Sequence, residues 1–311
     1  MSRIIAVGLS TTLQKTIAFT DLRKDCVNRS TGYRIDASGK AVNTARVLSQ
    51  LESGIVINVC PLGEENAQVF LDLAKQDGVP YDWLPVPGRV RYCYSLLEPG
   101  TGLVTELVVG EPVGNADFGE VSEKLLSMIE LQLADAEALV VAGSRPLAYP
   151  EDLYARIGKL GKDAGCIVMV DFHGKDLKRT LEVSIPDIIK INEEEFCGTF
   201  GYVYPLSEET LFVHLAAKSI EFDNTIVITR GSKDTFAATK GETFRHPVTE
   251  VVALNTIGCG DSFSAGFLYS WITGHDTRAA LEMGNSCSLA NLMNYRPGSI
   301  RNPLDKSELL W

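Results

Sequence analysis

The stretch Asn255-Thr256-Ile257-Gly258-Cys259-Gly260-Asp261-Ser262-Phe263-Ser264-Ala265-Gly266-Phe267 decides how the chain is read. Two glycines flank a small residue, an acid follows, and an apolar run then recurs at helical spacing, which predicts a tight loop feeding a helix N-terminus. The first-turn N–H groups of such a helix have no intrahelical partners and lie at the positive end of its dipole. The backbone of Gly258, Cys259 and Gly260 can therefore surround an anion. Asp261 at that same end has two readings. As a cap it stabilises the helix by about 1 kcal/mol. Beside a phosphate-binding loop a carboxylate is electrostatically unfavourable, unless it takes a proton from a nucleophilic hydroxyl as a general base does.

Working outward, strands alternate with helices through most of the chain. Ile4–Gly8, Ile55–Cys60, Ala138–Ala142, Ile167–Asp171, Ile188–Ile191 and Thr225–Thr229 read as short buried strands. Helical periodicity covers Gly39 onward, Ala67–Lys75, Phe118–Leu133, Glu151–Lys162, Glu208–Ile220, Gly260–Trp271 and Thr277–Met293. The alternation predicts right-handed β-α-β units and a parallel sheet covered on both faces, with ligands at the carboxyl ends of the strands. Ser10–Lys15 reads as a polar loop, and Thr235–Ala238 with Glu242–Arg245 as antiparallel additions. The β-rich segments near 16–35 and 91–109 interrupt the alternation, the second around a Glu98-Pro99-Gly100-Thr101-Gly102 turn, and they predict a small separate sheet, a candidate lid.

Composition narrows the function classes. A chain of 311 residues with 45% hydrophobic residues can build a large core. A formal net charge of -11 argues against nucleic acid and anionic membrane as partners, so an anionic ligand needs a local positive site. No long uncharged apolar run and no basic leader is present, and the seven cysteines are scattered with no C-x-x-C pair; a soluble cytoplasmic protein with mostly reduced core thiols is expected. No Walker or protein-kinase motif occurs, the sole G-x-G lacks a dinucleotide context, and the four histidines show no ligand spacing.

Several predicted strand ends carry polar residues: Gly143-Ser144-Arg145-Pro146, Asp171-Phe172-His173-Gly174, Lys190-Ile191-Asn192-Glu193-Glu194-Glu195 and Thr229-Arg230-Gly231. Asn192 and Glu195, three apart at a helix start, fit either a cap or a water-bound magnesium near phosphates. His173 reads as a surface or structural histidine before a substrate contact.

These stations resemble those of the ribokinase-like (PfkB) carbohydrate kinases, in the branch that holds 1-phosphofructokinase and tagatose-6-phosphate kinase. Val27-Asn28-Arg29 resembles the branch's V-N-R, and Ser38-Gly39-Lys40-Ala41-Val42-Asn43 its G-G-K-G-x-N. Arg91 and Thr105-Glu106 resemble its T-R and T-E-I stations. Gly143–Pro146 resembles G-S-L-P, Lys190–Glu195 K-P-N-x-x-E, and Gly258–Asp261 G-A-G-D. The resemblance is collinear over almost the whole chain. It implies a ribokinase-like three-layer α/β sandwich, a single domain spanning residues 1–311 with lid segments at about 11–36 and 90–110.

It also implies ATP-dependent, magnesium-requiring phosphorylation of a sugar hydroxyl. By the resemblance, Asp261 is the base and Gly258, Cys259 and Gly260 form the anion hole. Gln14, Ser38, Gly39, Lys40, Asn43, Arg91 and Glu106 face the sugar phosphate, with Lys40 and Arg91 gripping its phosphate. Asn192, Glu195, Thr229, Gly231 and Asn285 lie toward the nucleotide, Asn192 and Glu195 organising magnesium through water. The apolar lid residues Ile17, Phe19, Tyr92 and Tyr94 suggest a homodimer formed through the lid.

The departures fall on the sugar side. Where the branch begins N-P-x-x-D, this chain has Ser10-Thr11-Thr12-Leu13-Gln14, with an amide in the acid's place; Ser38 and Ala41 replace glycines, and Cys259 an alanine. A non-catalytic sugar-phosphate or nucleotide sensor on the same scaffold is the alternative these changes permit, and a kinase for an unphosphorylated sugar or a nucleoside is another. Retention of Asp261 favours an enzyme, and Lys40 with Arg91 a phosphorylated substrate.

Overall fold

The computed structural model describes residues 3–110, 118–249, 251–274 and 276–301, so His275 lies outside the described residues. The first half runs β1 (Ile4–Val7), β2 (Thr12–Ala18), β3 (Gly32–Ser38), α1 (Lys40–Leu51), β4 (Val56–Gly63), α2 (Ala67–Ala74), β5 (Tyr81–Val86), β6 (Arg91–Glu98), β7 (Leu103–Val108) and α3 (Phe118–Leu133). There follow β8 (Ala138–Ala142), α4 (Leu153–Asp163), β9 (Ile167–Asp171), α5 (Gly174–Val183), β10 (Ile188–Asn192), α6 (Glu193–Phe200) and α7 (Glu208–Glu221). The chain continues with β11 (Thr225–Arg230), β12 (Lys233–Thr239), β13 (Glu242–His246), α8 (Cys259–Gly274) and α9 (Thr277–Leu292).

Among the described residues, nine strands form one sheet in the order β13-β12-β11-β10-β9-β8-β1-β4-β5, parallel from β5 to β11 and closed by two antiparallel strands. The apolar runs are continuous because both faces are covered. Ile5 and Val7 of β1 belong to the core layer covered by α3, α4, α6 and α7, while Ile4 and Ala6 belong to the layer covered by α1, α8 and α9. This is the α/β three-layer arrangement expected from the alternation. The chain moves outward from β1 to β4 and β5, then returns to place β8 on the other side of β1. That reversal opens a crevice at the carboxyl ends of β1 and β8, where open α/β sheets bind ligands.

The segments that interrupt the alternation form a separate four-stranded sheet in the order β3-β2-β6-β7. Its register puts Thr12, Gln14 and Thr16 of β2 opposite Arg91, Cys93 and Ser95 of β6, so these six side chains share one face. The expected Ser10–Lys15 loop is corrected here: Thr12–Lys15 belong to β2. Thr12, Gln14, Arg91 and Cys93 of this face line a cavity, which is why polar residues occupy a buried strand there.

Two elements carry little sequence signal. β5 is an edge strand containing Pro85, and α5 buries only Leu177 and Thr180 of its ten residues. All seven cysteines are free, five of them buried. No helix among the described residues is long and apolar enough to cross a membrane.

Candidate active site

A cavity of about 730 Å³ lies at the carboxyl ends of β1, β8, β9, β10 and β11, roofed by β2, β6 and β7 of the small sheet. Its walls include Gln14, Ser38, Gly39, Lys40, Asn43, Arg91, Glu106, Asn192, Glu195, Thr229, Gly258, Gly260 and Asp261. Residues spread over about 250 positions of sequence thus meet in one crevice.

The loop before α8 is held from beneath. Asn255 Oδ1 accepts from Ile257 N at 3.0 Å, and Asn291, fully buried, donates to Ile257 O at 2.9 Å while accepting from Gly298 N at 2.7 Å. Gly258 has φ +83°, and a Cβ there would stand 2.5 Å from Gly298 N, so only glycine fits both the turn and the packing. Gly39 has the same constraint where β3 turns into α1: at φ +129° its Cβ would meet Ser10 O at 2.8 Å. These two glycines bring the starts of α1 and α8 against the same crevice.

Asp261 sits in the first turn of α8, 7% exposed, and its Oδ2 accepts from Asn43 Nδ2 at 2.7 Å. Burial raises its carboxyl above the ordinary value and Asp171 adds to the rise; Lys40, the Asn43 hydrogen bond and Lys190 oppose without overcoming it. Beside it, fully buried Asp171 at the end of β9 accepts from Lys40 Nζ at 2.8 Å, Lys190 Nζ at 3.0 Å and Ser264 Oγ at 2.8 Å. Burial alone would raise Asp171, yet Lys190, Lys40 and the hydrogen bonds hold it well below the usual carboxylate range. Lys40, whose burial works the other way, is kept above its ordinary value by Asp171, with Asp261 and Glu195 adding to the effect. A Cβ at Gly260 would meet Lys190 Nζ at 2.9 Å, so this ammonium stands at the N-terminal end of α8 and reinforces its positive field.

On the small-sheet side, Gln14 is buried and its Nε2 donates to Ser95 Oγ at 2.7 Å. Arg91 opens β6, with Nη2 on Ser10 Oγ at 2.7 Å and Nη1 on Val109 O at 3.1 Å. Burial and Asp261 raise the Glu106 carboxyl, and Arg91 opposes them. Among the described residues, four cations (Lys40, Arg91, Arg145, Lys190) and four carboxylates (Glu106, Asp176, Glu195, Asp261) line this cavity. Anion affinity here therefore depends on where each charge stands and not on an excess of one sign.

Asn192 and Glu195 form a reciprocal capping box at the start of α6: Asn192 Oδ1 accepts from Glu195 N at 2.8 Å and Glu195 Oε2 from Asn192 N at 2.9 Å. His173 stands at the rim, 54% exposed, with Nε2 3.6 Å from Glu195 Oε1. Among the described residues no group of three or more His, Cys, Asp or Glu side chains could hold a metal ion. One carboxylate and one amide beside a phosphate-binding loop do fit magnesium, which keeps most of its waters and binds through one or two protein oxygens plus phosphates.

A second cavity, of about 310 Å³, adjoins the first and shares Thr229 and Gly260 with it. Gly231, Cys259 and Asn285 line this second space and not the first. Its walls mix Phe263, Val248, Leu289 and Leu292 with Thr235, Ser286 and Asn285, which suits a flat heterocycle with polar edges. Asn285 Oδ1 accepts from Thr235 Oγ1 at 3.0 Å. The Cys259 Sγ accepts from Asn291 Nδ2 at 3.2 Å, and burial pushes its thiol up to about 11.

The sequence profile of the pfkB family of carbohydrate kinases matches residues 1–301. The chain belongs to this family. Among its curated relatives is the 1-phosphofructokinase of Rhodobacter capsulatus, 26% identical over 298 residues, covering 95% of this chain and 92% of the relative. The tagatose-6-phosphate kinase of Staphylococcus epidermidis is 24% identical over 298 residues, covering 96% and 94%. A solved structure of a possible 1-phosphofructokinase from Thermotoga maritima superposes with a TM-score of 0.83 at 19% identity, covering 94% of this chain and 93% of that one, and shares the fold.

In this pfkB kinase, sequence reasoning did not single out four charged groups of the site. Asp171 and Lys190 stand in quoted strand-end stretches, but their pairing across β9 and β10 is visible only in the fold. Arg145 and Asp176 pair at 2.8 Å on the cavity wall, with Arg145 Nη1 also donating to Tyr149 O at 2.7 Å. An arginine standing where the family motif has leucine was the signal for that pair.

Proposed function

We propose that this pfkB kinase transfers the γ-phosphoryl group of MgATP to a hydroxyl of a phosphorylated sugar, as the names of its 1-phosphofructokinase and tagatose-6-phosphate kinase relatives suggest. The observation that carries the proposal is the position of Asp261. It stands, buried and next to Gly260, where the two cavities join. A hydroxyl in the larger cavity reaches Asp261, and a γ-phosphoryl group at the Gly258–Gly260 backbone comes from the smaller one.

Asp261 removes the hydroxyl proton as the oxygen attacks the γ-phosphorus and the bond to the bridging oxygen breaks, releasing ADP, and the developing charge is met by the α8 N-terminus and Lys190. Lys40 and Arg91 bind the phosphate already on the sugar, with Gln14, Ser38, Gly39, Asn43 and Glu106 facing its hydroxyls. Thr229, Gly231, Cys259 and Asn285 line the nucleotide side, and Phe263 offers a flat apolar wall. Magnesium held by Asn192 and Glu195 through water would neutralise phosphate charge. ADP release with MgATP over hexose monophosphates, free sugars and nucleosides tests the reading. Turnover confined to free sugars or nucleosides would refute a phosphorylated acceptor.

The whole chain is taken as one domain, with the small sheet as its lid. Ile17, Tyr92 and Tyr94 alternate with the cavity-facing residues and so point away from the cavity, each half-buried. This face supports a homodimer formed through the small sheet. Phe19 is buried within its own protomer; Leu103 and Leu107, 59% and 50% exposed, offer apolar surface on β7 instead. Light scattering at micromolar concentration should give twice the chain mass, and a monomer with and without ligands would exclude the dimer. The charge balance fits a cytoplasmic enzyme that binds neither nucleic acid nor membrane.

A further inference from the structure

Behind the site lies a buried ionic cluster contributed by four separated parts of the chain. Arg34 of β3 forks onto Asp36, with Nε–Oδ2 2.6 Å and Nη2–Oδ1 2.8 Å. Arg296 bridges Asp36, at 3.0 Å, and Asp77. Arg46 of α1, 0% exposed, pairs with Asp77 at 3.0 Å and donates to the carbonyls of Ala37 and Pro297. Among the described residues, three guanidinium groups share these two carboxylates. Asp36 and Asp77 would each keep an arginine if Arg46 were absent. Burial, with the neighbouring Arg46 and Arg34, pushes Arg296 below its ordinary value against the pull of Asp36 and Asp77.

The remaining contact of Arg46 leads to the site. Its Nη1 donates to Asn43 Oδ1 at 2.9 Å, which also accepts from Ser38 Oγ at 3.0 Å, and Asn43 Nδ2 donates to Asp261 Oδ2 at 2.7 Å. A guanidinium has only donors, so the Asn43 atom facing Arg46 must be the oxygen and the one facing Asp261 the amide nitrogen. A chain of donors directed at Asp261 favours the carboxylate, which accepts more strongly than a carboxylic acid. Without Arg46 the amide could turn over and accept a hydrogen bond from protonated Asp261, a form that cannot act as a base.

We propose that Arg46, which touches neither cavity, is a positioning residue that locks the Asn43 amide so that Asp261 is held ionised and oriented as the base. The proposal rests on the reading of Asp261 as the base. It complements the burial that raises this carboxyl, and the other groups facing Asp261 are Lys40 on α1, Asp171 on β9, Lys190 on β10, Glu106 on β7 and the Cys259 thiol.

The test is the titration of the Asp261 carboxyl in the free protein, followed by 13C NMR and assigned by its loss in Asp261→Asn. Its midpoint should rise by about one pH unit in Arg46→Met and by less in Arg46→Lys, which keeps the charge and a donor. The acid limb of kcat with tagatose 6-phosphate or fructose 1-phosphate as acceptor should move with it. Lower stability with an unmoved midpoint in both variants would reduce Arg46 to a structural role and overturn the proposal. Should neither variant fold, the Asn43 side-chain amide of the wild type decides: an Nδ2 nitrogen and proton shift that follows the Asp261 titration supports the lock, and a shift unchanged across that titration overturns it. A midpoint that moves in protein inactive toward every acceptor would sink the kinase reading of Asp261 while leaving the lock intact.

Discussion

Asp171 and Asp261 are both buried and both within electrostatic reach of Lys40 and Lys190, yet their carboxyls are displaced in opposite directions. Asp171 takes three side-chain hydrogen bonds, two of them from ammonium groups. Asp261 takes one, from a neutral amide. The same burial is overcome at the first carboxyl and prevails at the second. A carboxylate saturated with cations is a fixed counter-ion that locates Lys40 and Lys190. One left partly unsatisfied at a cavity wall is poised to accept a proton, as the proposed mechanism requires.

The largest effect expected from breaking this contrast is on stability. Asp171→Asn leaves two ammonium groups without their counter-charge, one of them on nearly buried Lys190, and should cost about 3–5 kcal/mol in urea unfolding at neutral pH. Because the native carboxyl is depressed, its stabilisation is present above the unfolded value and lost as pH falls toward the native one. Wild type should therefore lose stability below about pH 4, and the variant should lose less there. An Asp171→Asn protein as stable as wild type would mean that the lysines are held by something else.

Asp261→Asn should separate catalysis from stability. We expect kcat to fall at least about a hundredfold with MgATP affinity nearly unchanged. The stability change should carry the opposite sign to that of Asp171→Asn. A carboxyl raised in the native state favours folding where it is protonated, and that contribution is lost as pH rises through its native value. Replacing it with an amide should then stabilise the protein at pH 7, measurable as a higher urea midpoint. Comparable turnover in the mutant would remove Asp261 from the mechanism.

Lys40→Ala and Arg91→Ala sharpen the contrast from the cationic side. Each should weaken binding of a sugar phosphate by roughly 1.5–3 kcal/mol in calorimetry and spare MgATP. Asp171 retains Lys190 in the first variant, so the fold should survive. Selective loss of ATP affinity in both would show that these residues do not grip the sugar's phosphate.

The smallest expected effect is at Gln14. A carboxylate accepts charge-assisted bonds from sugar hydroxyls, whereas this amide already spends a donor on Ser95. Gln14→Asp should raise kcat/KM for fructose 1-phosphate or tagatose 6-phosphate by about fivefold, the equivalent of about 1 kcal/mol. If wild type already turns over either one efficiently and the change gives no gain, Gln14 does not set acceptor preference.

What was legible in the sequence was whatever announces itself locally. Strands such as Ala138–Ala142 and Ile167–Asp171, the α3 helix and the glycine-bounded loop before α8 have the bounds or placement their periodicity predicts. The first half of the β2 strand was hidden because Thr12 and Gln14 put polar atoms on an inward face, which reverses the usual pattern of burial. The α5 helix was hidden because it lies largely open to solvent and shows too short an apolar stripe. The site's ionic partnerships were illegible for another reason. Arg46, Asp77 and Arg296 meet through tertiary packing, and no spacing in the chain encodes a contact made across 219 positions.

The seven thiols differ enough to make this protein addressable at one of them. Burial raises the thiols of Cys60, Cys166, Cys197, Cys259 and Cys287, and Cys93 is buried against the roof of the larger cavity. Cys26 alone is exposed, on the connection between β2 and β3. A maleimide dye added to the native protein therefore attaches at the tip of the small sheet. Its fluorescence would report how that sheet responds to sugar phosphate and nucleotide, with no cysteine replaced elsewhere.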